Sequence, residues 1–295
     1  MYAISDKETI YDKDDVTYPY SVANMLKKNG YRVASFHANA KTFYNRGKFH
    51  KRLGYDMHYS AYDLQASGLL DKNKNYFSDY NFISDDNLYD LMISDKPFFT
   101  FFTTYSGHLE YNTNNKVYKS IKKTLSKKKY GEEEYVYRTL VHDTDDAIKT
   151  LIEKLEKSKL LDKTVLVLVS DHYVYGYSDT DYVAMKKNKL NDRKELQNTP
   201  FIIWSKDIEA KTVDTILDTA DILPTLLNML DITYDPKNYL GDDVFSTSHD
   251  DFVWFSDGTF IKSSDCDLSD ESILTKVNYN INKNRDILLT NYYGK

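Results

Sequence analysis

The side chains best suited to chemistry in this sequence stand at the ends of apolar runs. They are three histidines and an aspartate, each directly after a run that predicts a strand: His37 after 31–36, His108 after 98–105, and Asp171 with His172 after 165–170. A carboxylate and an imidazole are costly inside a core unless they are paired or hold a metal ion. At the carboxyl edge of a parallel sheet, however, such residues lie where α/β enzymes bind ligands. Their convergence predicts a site at that edge.

The residue types in this group indicate a metal ion and an anion. Neutral imidazole together with carboxylate suits Zn²⁺ or Mn²⁺, whereas a carboxylate-only site suits Mg²⁺. Arg46 and His108 could hold an anionic group against that ion, because a guanidinium binds phosphate or sulfate oxygens in a bidentate way. Each residue also has a structural interpretation. A lone histidine at a strand end is more often a hydrogen-bonded residue than a ligand, and Arg46 alone would be an ordinary surface cation.

Other polar residues carry weaker signals. Asp221 opens the helix ILPTLLNML, and its simplest role is that of an N-cap. A solvated helix face is the expected place of four residues, His142, Asp143, Asp145 and Asp146, and Lys127–Lys129 is expected to form a charged turn. No sequence context suggests a role for the remaining histidines, which are His50, His58 and His249.

Helix and strand signals alternate along the chain and would position these residues. Helices are predicted at 20–28, where Asn29-Gly30 ends the helix, at 85–93, at 132–159 and within 218–232, where Pro224 falls in the first turn. Further strands are predicted at 200–204, 251–256 and 258–263. The alternation predicts an α/β fold with a mainly parallel sheet flanked by helices. The run 165–169 is continuous and β-branched, which predicts a strand buried on both faces.

Composition narrows the class of protein. With 295 residues and 41% hydrophobic residues, the chain can bury a full core. The net charge of −6 argues against nucleic acid as a partner, because phosphate binding needs a basic face. Cys266 is the only cysteine, so an intramolecular disulfide is excluded. No apolar run approaches the roughly 20 residues that span a bilayer, and no signal-peptide pattern is present, so the chain as written is expected to be soluble.

Four segments, in order along the chain, resemble the lipoteichoic acid synthase branch of the sulfatase and alkaline phosphatase superfamily: FHANAKTFYNR, FFTTYSGH, VLVSDH and TADILPTLLNMLDI. The resemblance covers essentially the whole chain. It implies an enzyme anchored in the cell membrane by N-terminal helices, with an extracellular domain that transfers glycerol phosphate from phosphatidylglycerol to a polyol acceptor. Its implied partners are anionic phospholipid head groups and glycerol phosphate polymer.

The resemblance also implies roles for individual residues. Asp171 and His172 match two ligands of a single divalent metal ion, Mn²⁺ or Mg²⁺ rather than Zn²⁺. Contacts to the substrate phosphate match three residues, His37, Arg46 and His108, of which Arg46 and His108 match catalytic positions. Tyr44 stands where the family often has tryptophan. Tyrosine keeps a flat aromatic surface for binding the substrate but carries a different polar group at its end.

The family's threonine nucleophile and upstream glutamate ligand have no match in the sequence. MYAIS resembles a stretch that follows the nucleophile, and the first threonines, Thr9 and Thr17, lie in a polar segment with different surroundings. We therefore expect residues 1–295 to be one truncated sulfatase-like domain that lacks its first strand and helix. A smaller α+β subdomain is expected at about 205–295. The chain by itself is expected to be inactive.

Other activities remain open on the same scaffold. Phosphoethanolamine transferases, sulfatases and phosphate-ester hydrolases share the expected fold, although a sulfatase needs a converted cysteine or serine and Cys266 is in no such motif. A non-catalytic module could instead bind glycerol phosphate or anionic head groups through His37, Arg46 and His108. For the 295 residues alone, binding without turnover is the favoured interpretation.

Overall fold

A parallel sheet of three strands carries the predicted strand ends. This computed structural model describes residues 15–121, 131–178, 197–255 and 257–294. The strand order in the parallel sheet is β2–β1–β3. The strands are β1 (Arg32–His37), β2 (Met57–Ser60) and β3 (Phe98–Thr103). His37 is in register with Ser60 on one side and with Thr103 on the other. The carboxyl ends of all three strands are therefore level at one edge of the sheet.

Helices follow the strands as the alternation predicts. The α-helices of the described residues are α1 (Val22–Lys28), α2 (Arg46–Arg52), α3 (Ala61–Ala66), α4 (Asp79–Ser84), α5 (Asp86–Met92), α6 (Lys116–Ser120), α7 (Glu132–Lys157), α8 (Ile222–Met229) and α9 (Asp270–Thr290). Short 3₁₀ turns cover Phe43–Asn45, Leu161–Lys163, Pro236–Asn238 and Tyr292–Gly294. None of these described helices has both the length and the apolar character needed to cross a membrane. The charged segment Lys127–Lys129 and Thr9 lie outside the described residues.

Strand β1 is buried on both faces, which is why helices must cover the sheet on both sides. Ala34 and Phe36 pack into one cluster with Phe82 of α4 and Leu88 of α5. On the other face, Val33 packs with residues of α1 and α8, namely Ala23, Leu26 and Leu227. The predicted α/β architecture with a parallel sheet between helices is confirmed.

The prediction that the run 165–169 is buried on both faces is wrong for the described residues. Strand β4 (Leu166–Val169) pairs antiparallel with β5 (Phe201–Trp204), and Val167 and Val169 are 36% and 45% exposed. Apolar β-branched residues are sufficient to form a strand. Burial needs covering elements in addition, and the described part of the chain supplies little cover for either face of β4.

The C-terminal residues form a second, antiparallel hairpin and a long helix. Strand β6 (Phe252–Trp254) pairs with β7 (Phe260–Lys262), and Phe252 packs against Ile273 and Val277 of α9. Helix α8, by contrast, contributes Leu227 to the core beneath the parallel sheet. The subdomain boundary at about 205 stays a prediction.

A buried polar network fixes the turn that follows β3. Asp79, at the start of α4, accepts hydrogen bonds from the backbone N–H of Tyr105 (2.8 Å) and of Ser106 (3.1 Å), and from the hydroxyl of Thr144 on α7 (2.7 Å). The hydroxyl of Ser106 donates to Asp143 at 2.5 Å. The prediction that Asp143 lies on a solvated face is therefore wrong, because its carboxylate pairs with buried hydroxyls.

Replacement of Asp79 by asparagine should destabilise the fold by about 1–3 kcal/mol at pH 7, because an amide nitrogen cannot accept these bonds. Burial raises the pKa of Asp79 from 3.8 to about 6. Between about pH 4 and about pH 6 the native state therefore binds more protons than the unfolded state. The contribution of Asp79 to stability falls as the pH rises through this range. Urea unfolding at pH 4.5 and 7 measures both effects. Asp145→Asn, at an exposed position on α7, is the control, and an unchanged pH slope in Asp79→Asn would contradict the assignment.

Candidate functional site

The structure brings the three strand-end histidines into one row. The ring of Tyr105 lies between His37 and His108, with centroid distances of 6.3 Å and 5.6 Å. The ring of His108 is in turn 6.4 Å from that of His172. Asp171 lies beside it, with Oδ1 3.6 Å from Nε2 of His172. The ends of β1, β3 and β4 thus lie near one another, but among the described residues β4 belongs to a separate antiparallel sheet, so the prediction of a single parallel sheet edge is wrong for β4.

Hydrogen bonds to the backbone fix which nitrogen of each ring is available. In every case Nδ1 lies next to a main-chain carbonyl oxygen: His37 with Thr103 (3.1 Å), His108 with Leu109 (2.9 Å), and His172 with Tyr173 (2.8 Å). A carbonyl oxygen can only accept, so Nδ1 must carry the hydrogen. In the neutral ring, Nε2 is then an unprotonated acceptor. All three histidines therefore offer a lone pair at Nε2.

His37 lies in a buried environment that changes its pKa. Its side chain is buried, and burial, followed by the nearby positive charge of Arg46, lowers the pKa of His37 to about 4. The ring is therefore neutral at pH 7. A neutral ring whose Nδ1–H is already used accepts a hydrogen bond at Nε2, and so it suits a substrate hydroxyl better than a bare phosphate oxygen.

Arg46 is placed by an unusual turn. Tyr44 and Asn45 both have left-handed backbone conformations, with φ of 50° and 52°, and Arg46 begins α2 directly after them. Such conformations cost about 1–2 kcal/mol per non-glycine residue. The preceding loop is anchored by the N–H of Lys41, which donates to Asp63 at 3.0 Å. The side chain of Tyr44 is 62% exposed, in keeping with a place at the rim of a site.

Asp171 and His172 fit two ligand positions of a divalent metal ion. The Nδ1–H of His172 is held by the Tyr173 carbonyl, which orients the Nε2 lone pair in the way that metal-bound histidines require. Nε2 and Oδ1 of Asp171, 3.6 Å apart, form a mixed nitrogen and oxygen donor set. Among the described residues, no group of three or more His, Cys, Asp or Glu side chains is arranged to hold a metal. The pair therefore supplies fewer than the three protein ligands common in catalytic zinc sites.

Asp221 belongs to a different cluster. It occupies the N-cap position of α8, but its carboxylate makes no bond to that helix and instead accepts from the N–H of Asp218 (2.9 Å) and of Asp242 (2.8 Å). His249 lies 3.6 Å away, and the hydrogen bond to Asp221 raises the pKa of His249. The N-cap interpretation is thus right in position and wrong in its hydrogen bonds. Because this cluster joins loops distant in sequence, no local motif could have revealed it.

Two further histidines lie next to Arg46 without a signal in the sequence. His50 and His58 have ring centroids 4.8 Å apart, at the contact between α2 and β2. His58 follows no apolar run of its own, and His50 is one of several polar residues on a short helix. The one available clue was the spacing of four residues between Arg46 and His50, which places both on one face of a helix.

The fold and the strand-end site define an α/β protein with a parallel sheet between helices and a group of histidines at the strand ends. Residues 4–232 match the family model described as Sulfatase. The chain belongs to the sulfatase family.

The chain is similar to curated members of one branch of that family. It is 28% identical over 273 residues to lipoteichoic acid synthase 2 of Bacillus subtilis and 28% identical over 271 residues to lipoteichoic acid synthase of Staphylococcus aureus. Both alignments cover 88% of this chain and 40% of the relative, so the chain spans about two fifths of the length of these enzymes.

Solved structures share the fold. The lipoteichoic acid synthase LtaP from Listeria monocytogenes matches with a TM-score of 0.63 at 20% identity, over 94% of this chain and 74% of that one. The Streptococcus pyogenes phosphoglycerol transferase GacH, in complex with sn-glycerol-1-phosphate, matches with a TM-score of 0.56 at 15% identity, over 97% and 70%.

Replacement of Arg46 by methionine should raise the pKa of His37, because a nearby positive charge is removed. The pKa should stay below the usual 6.5, since burial is the larger cause of the depression. A ¹H–¹⁵N NMR titration of the imidazole measures it. Lys51→Met, on the exposed end of the same helix, is the matched control and should leave His37 unchanged. A His37 pKa that does not respond to Arg46→Met would show that the guanidinium lies away from the ring.

Proposed function

We propose that this chain forms part of a metal-dependent phosphoglycerol transferase of the lipoteichoic acid synthase type, which transfers glycerol phosphate from phosphatidylglycerol to a polyol acceptor. The observation that carries the proposal is the row His37, His108 and His172, with Asp171 and Arg46 beside it, in a sulfatase-family chain related to lipoteichoic acid synthases. In this proposal the whole protein works at the outer face of the cell membrane, as the similarity to lipoteichoic acid synthases implies.

Each residue has a role in this proposal that follows from its environment. Arg46 binds two phosphate oxygens and offsets the negative charge that develops as the phosphoryl group is transferred. His108 is exposed and offers Nε2 to orient the phosphate or to protonate a leaving oxygen. Neutral His37 accepts a hydrogen bond from a glycerol hydroxyl, and Tyr44 forms a wall at the rim.

Asp171 and His172 would hold the metal ion through Oδ1 and Nε2. A bound Mn²⁺ or Mg²⁺ lowers the pKa of a hydroxyl nucleophile and neutralises phosphoryl charge. The exposed position of both side chains keeps them accessible to an ion and to a phosphate group. Zn²⁺ suits this mixed pair as well, so the identity of the ion rests on the family relationship.

A second candidate function is binding without turnover. It is favoured by the incomplete metal site, since the described residues supply two adjacent ligands. Arg46, His37 and His108 could then hold a glycerol phosphate unit of a polymer or an anionic head group. Phosphoethanolamine transfer, sulfate-ester hydrolysis and phosphate-ester hydrolysis use the same anion-binding residues and differ in the group that leaves or accepts.

Calorimetric titration with Mn²⁺ tests the metal site directly. We expect binding to the chain that is lost in Asp171→Asn and in His172→Gln, because each change removes a donor atom. Asp162→Asn, at an exposed aspartate before β4, is the control. Mn²⁺ affinity that is equal in all variants would place the ion elsewhere.

Turnover separates the two candidate functions. The protein expressed from its complete reading frame is incubated with Mn²⁺ and fluorescent phosphatidylglycerol, and diacylglycerol is measured. We expect release that falls at least about 100-fold in Arg46→Met, the usual cost of losing a charge-stabilising donor, and stays unchanged in Lys51→Met. Binding of sn-glycerol-1-phosphate without release of diacylglycerol would support the binding function, and neither binding nor release would contradict both.

A further inference from the structure

Three polar atoms next to the anion-binding residues are buried without a hydrogen-bond partner among the described residues. They are Nε of Arg46, Nδ1 of His50 and Nε2 of His58. A buried polar group that lacks a partner costs about 1–3 kcal/mol. Such groups are rare in folded proteins, and three of them in one place call for a physical explanation.

The hydrogen-bond polarity of His58 is set by a serine on the neighbouring strand. Ser35 of β1 is in register with His58 of β2, and its Oγ lies 2.9 Å from Nδ1 of His58 and 3.4 Å from the carbonyl oxygen of Met57. Both contacts are made when the single hydroxyl hydrogen of Ser35 goes to the carbonyl of Met57, which can only accept, and Oγ accepts from Nδ1–H of His58. In that arrangement Nε2 of His58 is a buried acceptor.

Arg46 supplies a matching donor on the facing helix. Helix α2 packs against β2, and Arg46 and His50 are four residues apart on it, so they share one face. The ring of His50 is 4.8 Å from that of His58, which puts this face of the helix against His58. Nε of an arginine can only donate. The donor, Nε of Arg46, and the acceptor, Nε2 of His58, thus lie on two elements that pack against each other, α2 and β2.

The charge state of His58 suits the role of acceptor. Burial, followed by the positive charge of Arg46, lowers the pKa of His58 to about 4, while Asp63 opposes this effect. The ring is therefore neutral at pH 7 and keeps its lone pair. Of the charged groups that act on the ring, Arg46 has the largest effect on the pKa of His58.

We propose that His58 is a positioning residue for Arg46, whose Nε–H it holds through its Nε2 lone pair when the guanidinium binds an anion. With Nε fixed in this way, the two terminal nitrogens form a fork for two phosphate oxygens at the strand ends. The inference rests on the proposed function in so far as it gives Arg46 a phosphate ligand. His50 packs beside His58 and stacks on Tyr55, which confines the ring of His58.

Affinity for sn-glycerol-1-phosphate, measured by calorimetry on the full chain, tests the proposal. His58→Phe keeps a flat ring and removes the acceptor, and we expect about tenfold weaker binding, equivalent to about 1.4 kcal/mol. His58→Gln keeps an acceptor near the Nε2 position and should bind within about threefold of the original chain. His50→Phe, the matched control, should bind as the original chain does. Unchanged binding in His58→Phe, or an equal loss in His50→Phe, would overturn the proposal.

A second measurement decides the question even if the chain binds no glycerol phosphate, in which case the proposed function fails on its own. Imidazole ¹⁵N NMR of the full chain at pH 7 reports the tautomer of His58, which we expect to be protonated at Nδ1. A ring protonated at Nε2 cannot accept from Arg46 and would refute the inference. The Nε–H resonance of Arg46 should move in His58→Phe and stay in place in His50→Phe, and the reverse pattern would assign the acceptor to His50.

Discussion

The parallel pairing of β1 between β2 and β3 determines where His37 lies and where the loops that carry Arg46 and His108 begin. Because Ser60, His37 and Thr103 share one level of the sheet, the loops that follow the three strands start at the same edge. The carbonyl of Thr103 then holds the ring of His37 across the strand pair. A slip of one residue would turn His37 to the opposite face and remove this bond, since side chains alternate along a strand. The register of β1 therefore also fixes the orientation of the His37 ring.

The turn after β3 also helps to position the candidate site. Asp79 accepts from two consecutive backbone N–H groups at Tyr105 and Ser106, so this turn is held from the start of α4. Tyr105 in turn stacks on His108, with 15° between the ring planes. The position of His108 therefore depends on a carboxylate that contacts neither the histidine nor any strand end. Burying that carboxylate has an electrostatic cost, which the raised pKa of Asp79 records.

Local signals predicted most of the elements, whereas contacts distant in sequence decided the details of the site. Asn29 closes α1 through bonds from its backbone N–H, as the Asn29-Gly30 pair predicts, so the local sequence was enough to end that helix. The strand-end histidines were predictable because an apolar run ended beside each of them. Asp143 has a partner 37 residues away in Ser106, and Asp221 has one 21 residues away in Asp242. No local pattern distinguishes these two residues from a solvated or capping aspartate. The exposure of β4 could not be predicted for the same reason, since the elements that cover a strand can come from distant parts of the chain.

The electrostatics around Arg46 also bear on which head group the site prefers. Burial and the guanidinium together keep His37 neutral, so its Nε2 accepts a hydrogen bond from a donor on the substrate. An ethanolamine ammonium could donate, but it would have to approach the positive charge of Arg46 and lose part of its hydration. A glycerol hydroxyl donates the same bond without charge, and its desolvation costs less. If the site holds a lipid head group, as proposed, the environment of His37 favours a glycerol hydroxyl over an ethanolamine ammonium.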